Sequence, residues 1–415
     1  MSRAITLLPA LWPGTVAARL IGTGVVVGLA AGAAWVAGKA LSDGASRDSA
    51  DNPRLINWEW ARSIASRAAR QGETVPWTDS RQREATQHEY ASLVDQSAEL
   101  VGQYTGLRLP AALTQVHVFD RAEWVDANLA QFRLMFGPLD DAYAAAIART
   151  PRAGGPVGVL GQAVLSGQVG ILLGYLARRV LGQYDLSLLG REPVTAGRLY
   201  FVVPNLLAFE RQYRLPAAEF RSWIALHEVT HAFELEAQPW VRRYMNDLLT
   251  SYLRTLSEDL FGNQSRTVLG TWAGRIKDNL FESHHVLELM MSREQRDIFR
   301  RLQALMAVME GYSNHVMNEV GARRLHSHHL LKQTFESRLR HRSAAEQLFI
   351  KLTGLDIKLE QYALGERFCE QVVTARGIDF LNRVWQAPEC LPTLAEIREP
   401  ARWITRQARA LVPKL

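Results

Sequence analysis

The sequence predicts a mainly α-helical protein with a minor β-sheet, and three observations carry the prediction. Most segments after residue 55 repeat apolar residues at three- and four-residue spacing, among them WEWARSIASRAARQ, SREQRDIFRRLQALMAVMEGYSNHVMNEVG and SAAEQLFIKLTGLDIKLEQYALGERFCEQVVTA. Strand-like runs are few and short: LTQVHVFD (113–120) and LYFVVPN (199–205), both rich in β-branched or aromatic residues. Hydrophobic residues make up 47% and charged residues 22% of the chain, the balance of a folded globular protein. A length of 415 residues suits two average domains, or one large domain with extensions. No internal repeat and no Gly-rich phosphate loop is present.

Taken in order, the chain begins with nineteen uncharged residues, LIGTGVVVGLAAGAAWVAG (20–38), bracketed by Arg19 and Lys39. That length suits a membrane span. Gly24, Gly28 and Gly32 are spaced like the small-residue face of packed membrane helices. The expectation is an N-terminal anchor in the cell membrane through residues 20–38, followed by a polar linker, so that residues 1–52 form one unit. Arginine and lysine are nearly balanced across it, so orientation is not readable. Without an anchor the protein is expected in the cytoplasm. A second uncharged run, GGPVGVLGQAVLSGQVGILLGYLA (154–177), carries Gln162, Ser166, Gln168 and seven glycines, and is expected as a buried helix of the core. Prolines 388, 392 and 400 mark an irregular C-terminal segment, and residues 406–415 are expected as a tail.

The net charge of +6 comes almost wholly from arginine, with only six lysines. The basic residues alternate with acids or scatter, as in REQRDIFRR, which describes solvated helix faces rather than a nucleic-acid surface; RLRHR (338–342) is the densest run. The two cysteines, Cys369 and Cys390, form no CxxC pair and are expected as free thiols.

The chemistry concentrates in AAEFRSWIALHEVTHAFELEA (217–237). Pro216 stands where a helix tolerates proline, and Pro239 ends the segment. Phe220, Trp223, Ile224, His227 and His231 recur at helical spacing, so both histidines lie one turn apart on the inward face. That spacing lets two imidazoles reach one Zn2+ ion, with Glu228 leaning toward the open position as general base for a water that zinc acidifies. A catalytic site needs a third protein ligand. A glycine at 234 with a histidine at 237 would supply one pattern, but Glu234 and Ala237 stand there. Glu310 is the candidate instead: it follows the apolar face of Leu302, Leu305, Met306 and Met309, where an acid is costly unless it is paired or binds metal. His315 is its rival, and Asn314, one turn beyond Glu310, is a candidate outer partner. The runs His284-His285 and His326 to His329 read as solvated loops rather than as a second metal cluster.

The blocks GYLARRVLGQYDL (174–186), VVPNL (202–206), FRSWIALHEVTHAFE (220–234), LMAVMEGYSNHVMNEVG (305–321), LTGLDIKLEQYALGERF (352–368) and LPTLAEIREPARW (391–403) carry a resemblance. In them the chain resembles a bacterial family of zincin-like metallopeptidases, some members of which are labelled as associated with deazaflavin-coenzyme biosynthesis. The resemblance implies a zincin-like fold over roughly residues 53–405, with His227 and His231 as ligands, Glu228 as catalytic base and Glu310 as third ligand. Two positions depart from the family pattern. Tyr312 stands where the family usually has histidine after Glu-Gly, and Asn314 stands where it often has an acid.

The function expected is zinc-dependent hydrolysis, most simply of a peptide or protein substrate, with Glu228 passing the proton of water to the leaving amine. The LYFVVPN strand is expected as a sheet edge that aligns an extended peptide. Tyr312 and Tyr362 are the weak candidates for an oxyanion donor. Two other readings stay open: a zinc-binding protein without proteolytic activity, and a hydrolase of a non-peptide amide. No nucleic acid is expected as a partner, and the oligomeric state is not readable.

Overall fold

The computed structural model describes residues 54–71, 80–149, 156–184, 197–261, 291–340 and 355–410. The N-terminal run 20–38 and its linker, together with His284 and His285, lie outside these residues.

Thirteen α-helices and three strands are present among the described residues, in the order α1 (Trp58–Arg70), α2 (Ser80–Thr105), β1 (Gln115–Phe119), α3 (Arg121–Arg149), α4 (Pro156–Ala177), β2 (Gly182–Tyr184) and β3 (Arg198–Val202). Then follow α5 (Val203–Tyr213), α6 (Ala217–Glu236), α7 (Pro239–Phe261), α8 (Arg293–Arg324), α9 (His328–Arg340), α10 (Leu355–Arg376), α11 (Ile378–Leu381), α12 (Leu394–Arg398) and α13 (Pro400–Arg409). The fold is mainly α with a minor sheet, as the periodicity predicts.

Local chemistry sets the ends of the key helices. The Ser292 hydroxyl accepts from Gln295 N–H while the Gln295 side chain accepts from Ser292 N–H, a capping box that starts α8. Arg323 and Arg324 then complement the negative end of its dipole. α6 starts at Pro216 and is buried almost all round from Phe220 to Leu235, which makes it the central helix. Phe220 stacks on Phe209 of α5, and Trp223 meets Phe335 of α9 edge-on. A second core lies among α1, α3, α4 and α7, with Trp124, Phe132, Leu173 and Tyr252 at its heart.

The sheet order is β1-β3-β2, with β1 parallel and β2 antiparallel to β3. This corrects two expectations. The LYFVVPN strand is the middle strand, so neither of its edges is open to a peptide. It also stops at Val202, because Val203 and Pro204 already form the first turn of α5, where proline fits. The strand β2 was not foreseen, since Gly-Gln-Tyr has no β-branched residue and is only three residues long. The outer edge of β1 is covered by α2: Gln87 donates to the Val116 carbonyl, and Arg83 donates to the Val118 carbonyl at 3.0 Å. Such side chains blunt an edge against foreign strands.

The second uncharged run forms α4 and packs on α1 as expected. A Cβ at Gly174 would lie 2.5 Å from the Ala68 Cβ and 2.9 Å from the Ala65 carbonyl oxygen, so only glycine allows this approach. Among the described residues no helix is long and apolar enough to cross a membrane. The prolines near the C-terminus punctuate short turns, with 3-10 segments at Asn382–Trp385 and Pro388–Cys390 before α12 and α13. Cys369 and Cys390 are free.

Candidate metal centre

The centre forms where α6 crosses α8. His227 and His231 are one turn apart on α6, with ring centroids 4.8 Å apart and planes at 86°. From α8, Glu310 Oε2 lies 3.8 Å from His227 Nε2 and 4.0 Å from His231 Nε2. The three residues are buried, at 3%, 7% and 1% exposure. A tetrahedral zinc with bonds near 2.0–2.1 Å places its donors roughly 3.4 Å apart, so a small contraction brings these three onto one ion. Among the described residues this is the one group of three or more His, Cys, Asp or Glu whose donor atoms converge, all within 4.8 Å.

Glu310 reaches α6 because α8 is seated tightly on its other side. A Cβ at Gly311 would lie 2.2 Å from the Gly365 carbonyl carbon, and one at Gly365 would lie 1.9 Å from the Ala307 carbonyl oxygen. Two glycines thus bring the backbones of α8 and α10 into direct contact, which sets the position of the next residue back, Glu310.

The electrostatics suit a cation. Burial lowers the His227 pKa to about 3, and burial followed by the neighbouring His227 holds His231 well below the ordinary value. Both imidazoles are therefore neutral at physiological pH, the form that binds metal. Neither ring nitrogen of His227 has a hydrogen-bond partner, although both are buried. A buried imidazole without partners is costly, and a metal at Nε2 relieves that cost. His231 is oriented differently: its Nδ1 lies 2.8 Å from Glu234 Oε2. This is the carboxylate–imidazole pair that turns the opposite nitrogen toward a metal. Burial, and then the charge of Glu310, raises the Glu234 pKa well above the ordinary value. The donor set fits a metal ion: two neutral imidazoles, one carboxylate, and a held orientation for one of them.

Glu228, 2% exposed, lies next to this cluster in sequence and faces β2. Burial pushes its pKa up to about 8, opposed by a hydrogen bond from the Tyr184 backbone N–H. The value lies in the range useful to a general base near neutral pH.

The other residues singled out in sequence are placed elsewhere. His315, the rival ligand, hydrogen-bonds Tyr104 of α2 at 2.8 Å and is not in the cluster. Tyr312 donates to Asn382 Oδ1 at 2.7 Å and lies edge-on to Trp385, so its hydroxyl is committed to the C-terminal segment and not to an oxyanion. The Tyr362 side chain lies outside the described residues. Asn314 is buried, and neither of its amide atoms finds a partner. His326, 98% exposed at its side chain, sits 3.7 Å from Glu219, and among the described residues no metal cluster forms with His328 or His329. Sequence reading missed Glu234, noticed only as the residue that excludes another ligand pattern, and it missed β2. The available signal for Glu234 was an acid three residues after a ligand histidine, on a helix buried all round.

Two neutral imidazoles on the central helix and a glutamate from α8 thus converge on one buried point, an arrangement that suits a metal ion. The model of the zincin-like metallopeptidase family matches residues 56–404, and the chain belongs to that family. A crystal structure from Chloroflexus aurantiacus, titled "a putative hydrolase with a novel fold", is 39% identical, with 85% of this chain and 99% of that chain covered and a TM-score of 0.61. Neither description mentions a deazaflavin coenzyme. The search of curated proteins returns no match.

Proposed function

We propose that the protein is a zinc-dependent peptidase. The observation that carries this reading is the convergence of His227 Nε2, His231 Nε2 and Glu310 Oε2, with the buried Glu228 following His227 on the same helix. These three residues would hold the ion and leave one position open. A bound zinc would supply Lewis acidity there, acidifying water and polarising the scissile carbonyl. Glu228 takes the proton of the attacking water on its carboxylate and delivers it to the leaving amine. Glu234 keeps His231 turned toward the ion through Nδ1. The burial of all these side chains excludes bulk water, which strengthens each charge interaction.

The test is the Glu228→Gln variant against a mixed peptide library. It should keep one zinc per chain and lose hydrolysis, and turnover at the wild-type rate would sink the mechanism. Metal analysis of His227→Ala and Glu310→Ala checks the ligands: both should lose zinc, and undiminished zinc in both removes the assignment.

The near-complete burial of the site favours, as a second reading, a hydrolase of a small non-peptide amide. A panel of N-acyl amides separates the two, since turnover of those without any peptide cleavage supports the second. Zinc bound with neither activity points to a binding protein.

A further inference from the structure

Gly182 stands at the point where the sheet touches Glu228. A Cβ there would lie 2.7 Å from Glu228 Cγ, 2.8 Å from Oε1 and 2.9 Å from Cδ, so all three of the nearest atoms belong to the candidate base. The ladder explains the approach. Val202 N–H donates to the Leu181 carbonyl at 2.9 Å, and facing residues alternate along an antiparallel pair. Gly182 and Tyr184 therefore turn their peptide groups away from β3 and toward α6. Tyr184 N–H meets the Glu228 carboxylate, and the Tyr184 hydroxyl donates to Glu236 Oε1 at 2.7 Å. The strand β2 is thus joined to α6 at two residues about two turns apart.

We propose that Gly182 is a positioning residue for the hydrolysis: the missing side chain lets the β2 backbone seat the Glu228 carboxylate in the one orientation that serves proton transfer. The inference rests on the reading of Glu228 as base. A glutamate has three rotatable bonds, and burial alone does not choose among its rotamers. Here the Tyr184 N–H holds one end of the carboxylate, and the Gly182 backbone packs against Cγ and Cδ. Any side chain at 182 forces one of two changes. Either Glu228 takes another rotamer, or β2 lifts from α6 and the Tyr184 bond lengthens. In both cases the base loses its seat on β2 while the donor atoms of His227, His231 and Glu310, which face one another, keep their places.

The experiment uses the zinc-loaded full chain with Gly182→Ala and a mixture of quenched fluorescent peptides. The kcat should fall about a hundredfold, the loss typical of a misplacement near 1 Å. KM and zinc content should not change. Thermal melts form a second, activity-independent arm. Gly182→Ala should lower Tm in the wild-type and Glu228→Gln backgrounds but not in Glu228→Ala, where the side chain it meets is gone. If Gly182→Ala alone does not fold, adding Glu228→Ala must restore a folded, zinc-bound protein. The proposal falls if Gly182→Ala keeps kcat within twofold while Glu228→Gln is inactive, or if the Tm loss is equal in all three backgrounds. Wild-type turnover by Glu228→Gln overturns instead the base assignment beneath it, and the melts then report the packing contact alone.

Discussion

His231 and His227 meet the interior in different ways, and the difference is chemical. His231 has a carboxylate on Nδ1, whereas His227 has no hydrogen-bond partner on either nitrogen. The Glu234→Ala variant should therefore weaken zinc binding by roughly 10–100-fold, the usual effect of losing an outer partner. Glu234→Gln should lose less, because an amide oxygen still accepts from Nδ1–H. Competition with a chromophoric chelator measures both, and equal affinity in Glu234→Ala and wild type would refute the role. At this scale the pairing of His227 and His231 was legible because helical spacing alone puts i and i+4 on one face. Glu310 was legible because an acid in an apolar stripe needs a reason. Glu234 was not, since its value depends on a contact with a ring whose rotation the sequence does not state.

Between elements, the close approach of α8 and α10 has a measurable consequence. A methyl at Gly365 would overlap the Ala307 carbonyl, so Gly365→Ala must part the two helices. Overpacking of this kind costs about 1–3 kcal/mol, seen in urea denaturation. Zinc affinity should fall with it, because Glu310 moves with α8. At the other end of the chain, Arg406 of α13 joins Glu396 of α12 at 2.7 Å. Burial raises the Glu396 pKa, but the Arg406 hydrogen bond and the Thr393 capping contacts outweigh it and leave the carboxyl below its ordinary value. A carboxyl lowered in the folded state contributes stability that is present above its unfolded pKa and lost as pH falls through the folded one. The stability gap between wild type and Glu396→Gln should thus be full at pH 7 and shrink below about pH 4.3. A gap that grows with acidification would contradict the pairing. The strands at 115–119 and 198–202 were legible from their β-branched and aromatic runs. Their order was not: β2 has no strand signature, and only pairing with β3 makes it a strand.

For the whole molecule, a metal held between two helices would make binding and folding one equilibrium. His227 and His231 stand on α6 and Glu310 on α8, distant in sequence, and an unfolded chain does not hold them together. Free zinc at a hundred times its dissociation constant should add about 2.7 kcal/mol to stability. Chelation should therefore lower Tm in the wild type, and to a much smaller extent in His227→Ala. A chelator-insensitive Tm in a protein shown to contain zinc would mean that the metal does not bridge the two helices.

The sequence by itself determined the helical class, the central helix with HEVTH facing inward, and the nearness of an acid on α8, because helical periodicity and the cost of a buried charge are local facts. It also identified the uncharged run at 154–177 as core, where polar residues and glycines break an otherwise membrane-like composition. Only the tertiary structure decided which edge of the sheet meets α6, that His315 and Tyr312 turn away from the cluster, and that Glu234 touches His231 and Gly182 touches Glu228. These depend on contacts between segments far apart in the chain, and a contact of 3 Å between two helices or a helix and a strand is fixed by packing of the whole core rather than by any local pattern.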